Sequence, residues 1–307
     1  MEQVQRILPR LTSTIALLTA LSCGSAVAAA EPTTSEAGAD EAPGDEPLRW
    51  KWRRHQLLDY VATAVFTGTA LVTEFLPHEG DPSWVGGELL DREVRDGLML
   101  GGFGNRKVVA RISDGMLATL VAYPVLVDAL LVTWVGRGAG DTAWQLLAMD
   151  LQALAFNAAL TGMVKRVADR ERPSGTACRT DPRYDRRCEE QSTRGSFFSG
   201  HTSFAFTAAG LTCTHHVRLG LFGPAGDALA CVGTTVGATM VGVERIVADR
   251  HYATDVIVGA AAGVTSGALL PWALFYAHPA DEEPSLSWRA VPLPQPGGAG
   301  LALTGLW

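Results

Sequence analysis

Three short stretches of the chain carry residue types that could act on an anion. The first holds Lys165 and, seven residues on, Arg172 followed by Pro173. The second is Ser199-Gly200-His201, and the third holds Arg245, His251 and Asp255. A histidine with an ordinary pKa near ~6.5 can attack or carry protons at neutral pH. A carboxylate beside it can fix its tautomer and make it a better nucleophile. An arginine can hold an anion with a rigid fork of donors. Seven residues are two helical turns, so Lys165 and Arg172 are expected on one face near a helix C-terminus, with Pro173 stopping the helix. Small residues such as Ser199 and Gly200 ahead of a helix let backbone N–H groups approach an anion closely. His201 stands where it could protonate a leaving group. Taken singly, each stretch also has an ordinary reading: a basic helix cap, an N-cap with an incidental histidine, a charged helix end.

Taken together, the order and spacing decide more. Lys165-x6-Arg172-Pro173, Ser199-Gly200-His201 and Arg245-x5-His251-x3-Asp255 resemble the three-part signature of the type 2 phosphatidic acid phosphatase (PAP2) superfamily. That superfamily includes lipid phosphate phosphatases, bacterial class A acid phosphatases and vanadium haloperoxidases. The resemblance runs from about Val108 to Tyr276. It implies an all-α fold, a helical bundle with a core of about six helices. It also implies a metal-independent hydrolase of a lipid-linked or small phosphoester, acting through a phosphohistidine on His251. Asp255 would orient His251, and His201 would protonate the leaving oxygen and then activate water. Lys165, Arg172 and Arg245 would hold the phosphoryl oxygens, with Ser199 and the Gly200 N–H completing the cradle. No cofactor is implied; vanadate enters only under the alternative haloperoxidase reading, and a non-catalytic envelope protein is a further alternative. Two positions depart from the pattern: Phe198 stands where the second motif usually has proline, and Glu244 where the third usually has serine. Phosphatidate, undecaprenyl pyrophosphate, lipid A phosphate and soluble phosphoesters all remain open as substrates.

The elements that must position these groups are apolar. Of 307 residues, 47% are hydrophobic and 19% charged, and the net charge of −7 with no basic aromatic stripe argues against a nucleic-acid partner. Residues 1–30 read as an export signal, with Arg6 and Arg10, an apolar core and Ala26-Val27-Ala28 as a cleavage site; Cys23 leaves a lipoprotein reading open. Residues 31–50 read as a polar linker, 51–280 as the phosphatase-like domain and 281–307 as a tail with a β-hairpin. Helices are expected at Glu88–Leu100, Val108–Val135, Thr142–Val167, Ser203–Leu219, Ala225–Val243 and Ala253–Ala277. Leu57–Leu76 carries Asp59, Glu74 and four threonines and is expected to cross a membrane poorly. Membrane association, an exported site and a position in the cell envelope follow as expectations.

The loop from Pro173 to Thr202 contains Cys178 and Cys188, for which a stapling disulfide and two separate thiols are both open. Cys213 and Cys231 are expected to be plain buried thiols. Asp169, Asp181 and Asp185 are expected to be solvated rather than metal ligands.

Overall fold

The computed structural model describes residues 48–76, 80–185, 188, 193–280, 287–295 and 298–306. The export signal at 1–30 and all but the last residues of the 31–50 linker lie outside the described residues. The chain is mostly helical. In order come α1 (Leu57–Phe75), α2 (Asp91–Leu98), α3 (Phe103–Ala122), α4 (Gly140–Ala168), α5 (Pro173–Cys178), α6 (Gly200–Leu219), α7 (Gly223–Val247) and α8 (Ala253–Val264). Helix α3 continues as a π-helix over Tyr123–Gly136, and α8 runs on through π-helical turns at Thr265–Leu269 and Trp272–Tyr276. Two strands, β1 (Ser287–Gln295) and β2 (Gly298–Leu306), pair antiparallel from Ser287↔Leu306 to Gln295↔Gly298.

Helix α6 is the axis of the bundle. Thr202, Ser203, Ala205, Phe206, Ala208, Ala209 and Leu211 are all buried, and Phe206, Ala209, Val241 and Leu120 form one apolar cluster joining α3, α6 and α7. Ser199 caps its start, its Oγ accepting from Thr202 N, and Gly220 ends it in the left-handed region at φ 61°. Against it lies α8, whose glycines repeat every four residues on one face: Gly259, Gly263 and Gly267. A Cβ on Gly259 would stand 2.7 Å from Ser199 O, and those on Gly263 and Gly267 closer still to Ser203 O and Thr207 O. Only glycine permits this backbone approach. It fixes the start of α6, which bears His201, against the start of α8, which bears Asp255.

Among the described residues, four helices are long and apolar enough to cross a membrane: Phe103–Gly136, Gly140–Ala168, Gly223–Val247 and Ala253–Tyr276. Their outward faces carry Leu131, Trp134, Leu151, Leu229, Val232, Ile257 and Trp272, all exposed, a surface suited to lipid rather than water. Helix α1 is not among the four, yet many of its polar groups are satisfied locally. The hydroxyls of Thr63, Thr67, Thr69 and Thr73 donate to carbonyls of their own helix, and Asp59 is paired with Arg53.

Two disulfides are present among the described residues. Cys178–Cys188 staples the loop after α5. Cys213–Cys231 joins α6 to α7, which corrects the expectation of free thiols. The two cysteines lie equally far from Phe222 in the turn between these antiparallel helices, so they come level, with Cα atoms 4.5 Å apart.

The end of the bundle reached by the C-terminus of α6 is closed by buried histidine–carboxylate pairs. His215 bonds Asp150 Oδ1 and Tyr276 Oη, each at 2.9 Å. His216 bonds Asp227 at 2.6 Å and Asp128 at 3.2 Å. Residues 51–53 meet 278–280 at this same end.

Candidate active site

The opposite end gathers the three motifs. Helix α4 ends at Ala168, and Asp169 turns the chain in the left-handed region at φ 40°. Arg172 is therefore not on the Lys165 helix. It is the N-cap of α5, and Pro173 opens that helix at its first turn instead of closing the one before it. The expectation of two cations on one helical face is corrected; they converge from two elements. Arg172 is held by the backbone, with Nε donating to Arg194 O at 3.1 Å and Nη1 to Arg250 O at 3.1 Å. Nη1 also lies 3.3 Å from His251 Nε2. Lys165 reaches toward Gly200, where a Cβ would stand 3.3 Å from its Nζ. Arg245, buried at the end of α7, extends Nη1 to Asp114 at 2.9 Å.

His251 is 2% exposed. Its Nδ1 lies 2.8 Å from the backbone carbonyl of Ser196. A carbonyl only accepts, so Nδ1 carries the hydrogen and Nε2 keeps its lone pair, facing Arg172. Asp255 Oδ2 stands 3.6 Å from Nδ1, an ion-pair distance rather than a hydrogen bond. The expected direct Asp255–His251 hydrogen bond is thus replaced by one to Ser196 O. Asp255 instead accepts from Ser196 Oγ at 2.5 Å, from Tyr252 N at 3.0 Å and from Arg170 at 2.6 Å. Its reach to His251 runs partly through Ser196. Burial first, then Arg172, Arg245 and Lys165, hold His251 well below the usual histidine range, so it is neutral at pH 7.

His201, in the first turn of α6, lies 2.8 Å from Asp114 Oδ1 through Nε2. Burial, and next Arg245, push its pKa down to about 4, with Asp114 opposing. It is therefore neutral at pH 7. A phosphoryl dianion bound beside it would favour the protonated form.

Four residues of the site were not singled out in the sequence. Arg170 is wholly buried, bridging Asp91 at 2.7 Å and Asp255 at 2.6 Å. Its guanidinium is sandwiched between Trp84 and Tyr252, 4.1 and 4.2 Å from the ring centroids. Asp91, in turn, accepts from Thr254 N and Thr254 Oγ1 at the start of α8. Asp114 joins His201 to Arg245, and Ser196 joins His251 to Asp255. Asp169 and Asp185 are buried and paired with Arg194 and Arg250, not solvated as expected; Asp181 is exposed. Their pairing holds the loop that carries Arg172 and Ser196.

Residues 147–279 match the PAP2 superfamily. The chain carries a PAP2 superfamily domain. A lipid A 1-phosphatase of Porphyromonas gingivalis is 32% identical over 136 residues, which is 44% of this chain and 25% of that protein. The matched part thus spans a quarter of the relative's length. No solved structure matches the chain significantly. The PAP2 domain contains all three motifs, whereas Trp84, Asp91 and Asp114 contribute to the same site from outside the matched residues.

Proposed function

We propose that this protein is a metal-independent phosphatase of a lipid-linked or small phosphoester, acting through a phosphohistidine. The observation that carries the reading is the His251 ring: Nδ1 committed to Ser196 O and the Nε2 lone pair turned to a pocket bearing Arg172. Lys165 and Arg245 act on the same histidine. In the first step Nε2 attacks phosphorus, the bond to the leaving oxygen breaks, and His201 supplies the proton that oxygen needs. Asp255, 3.6 Å from Nδ1, supports the positive charge on the phosphorylated ring. In the second step His201 takes a proton from water, which attacks phosphorus and releases His251 and inorganic phosphate. Lys165, Arg172 and Arg245 stabilise the charge on the phosphoryl oxygens in both steps. The Gly200 N–H, at the start of α6, adds a backbone donor, and Ser199 caps that turn.

A lipid substrate is supported by the apolar outer faces of the bundle and by the lipid A 1-phosphatase relative. An exported, envelope site is supported by the Cys178–Cys188 disulfide beside Arg172, since such bonds persist in oxidising compartments. In a bundle that crosses the membrane, this orientation puts residues 51–53 and 278–280 on the cytoplasmic side. An export signal cleaved ahead of residue 51 is incompatible with that orientation, and we give preference to the crossing bundle. Phosphate release from phosphatidate, undecaprenyl diphosphate, lipid A and a soluble phosphoester tests the reading. Wild-type protein is expected to act on at least one and His251→Ala on none; equal activity of the two proteins would remove the nucleophile.

A further inference from the structure

We infer that Asp114 selects phosphomonoesters with an uncharged alcohol as leaving group and rejects diphosphates. The inference deepens the phosphatase reading and rests on it. Asp114 comes from α3, outside the residues that match the PAP2 superfamily. Its Oδ1 stands 2.8 Å from His201 Nε2 and 2.9 Å from Arg245 Nη1, and its side chain is 57% exposed. It is thus a solvent-exposed carboxylate bound to the histidine that protonates the departing oxygen. The leaving group must pass beside it.

The two substrate classes differ at this point. When a monoester is cleaved, the bond from phosphorus to an alcohol oxygen breaks, His201 donates its proton, and a neutral alcohol departs. Such a group can donate a hydrogen bond to Asp114. When the terminal phosphoryl of a diphosphate is transferred, the departing oxygen belongs to a second phosphate that is itself anionic. That phosphate would be driven against the Asp114 carboxylate at a few ångströms, where like charges repel strongly.

The test compares the monophosphate and the diphosphate of one isoprenyl alcohol, so that only the leaving group changes. Initial phosphate release is measured for wild-type protein, Asp114→Asn and Asp114→Ala. Wild-type protein is expected to prefer the monophosphate. Both substitutions are expected to raise the diphosphate-to-monophosphate ratio of kcat/KM by roughly tenfold. If Asp114 only positions His201, both substrates slow together and the ratio stays constant, which overturns the inference. A wild-type preference for the diphosphate overturns it as well. Calorimetric binding of orthophosphate and pyrophosphate to the same proteins probes the charge effect without turnover. Asp114→Asn must tighten pyrophosphate several-fold more than orthophosphate; equal tightening is contrary to the inference. If wild-type protein hydrolyses neither ester, the phosphatase reading falls on that result, and the binding ratio still decides whether Asp114 repels the second phosphate.

Discussion

Helix α6 carries a histidine in its first turn and two in its last, and the two ends use them differently. At the far end His215 and His216 are buried, and each ring nitrogen is met by Asp150, Tyr276, Asp227 or Asp128. The rings there face carboxylates, and no arginine or lysine makes an ion pair with those carboxylates among the described residues. At the site end the balance is reversed. His251 lies among Arg172, Arg245 and Lys165, while Asp255 is already neutralised by Arg170. The same residue types therefore build a closed strut at one end and a cation-rich cluster around a histidine at the other. Burial of a His–Asp pair does not by itself mark an active site; an excess of convergent cations around a histidine with a lone pair to spare does.

The contrast can be broken by substitution. His251→Ala is expected to lower kcat/KM by on the order of 10³ or more while leaving the helical circular dichroism intact. Arg170→Met comes next. It strands Asp91 and Asp255 as buried carboxylates and frees the loop at Ser196, so kcat should fall by about 10² with a smaller change in KM. Arg170 acts here as a positioning residue. Recovery of kcat in Arg170→Lys only to a small extent would agree, because lysine cannot bridge two carboxylates between two rings. His215→Ala should do the opposite of His251→Ala. It leaves Asp150 and Tyr276 unsatisfied, costing about 2 kcal/mol of stability seen in thermal unfolding, with kcat per folded molecule within about twofold of wild type.

The smallest expected effect is a slope with pH. His201 has a folded pKa of about 4 against about 6.5 when unfolded. The unfolded chain binds the extra proton between these values, so stability is full above pH ~6.5 and is lost as pH falls toward 4. His201→Ala should flatten that part of the profile of melting temperature against pH. Added orthophosphate, by favouring protonated His201, should flatten it in the wild-type protein too.

Much of this site could be read from spacing, because the motif residues are local. Lys165, Arg172, His201, Arg245, His251 and Asp255 all reach one end of the bundle. What spacing could not give is how they arrive there. Arg172 left the Lys165 helix because Asp169 turns the backbone, a break that no proline announces. Asp255 looked like the partner of His251 from a four-residue gap, but the gap falls where α8 begins, and Asp255 accepts from Tyr252 N as part of that helix's cap. The histidine then turns to a carbonyl 55 residues away. Arg170 was visible only as one more charge in a basic run, and its partner Asp91 lies 79 residues upstream. Asp114 had a fainter signal, a lone carboxylate in an apolar helix. The Cys213–Cys231 bond depended on the pairing of α6 with α7, which is a tertiary fact.

The whole mechanism stands on phosphorylation of His251. Turnover of a ³²P-labelled substrate, quenched rapidly and resolved by protein electrophoresis, reads this directly. Wild-type protein is expected to carry an acid-labile, alkali-stable label that maps to His251 and is absent from His251→Ala. Turnover with no label, or label and turnover that persist in His251→Ala, would contradict the mechanism.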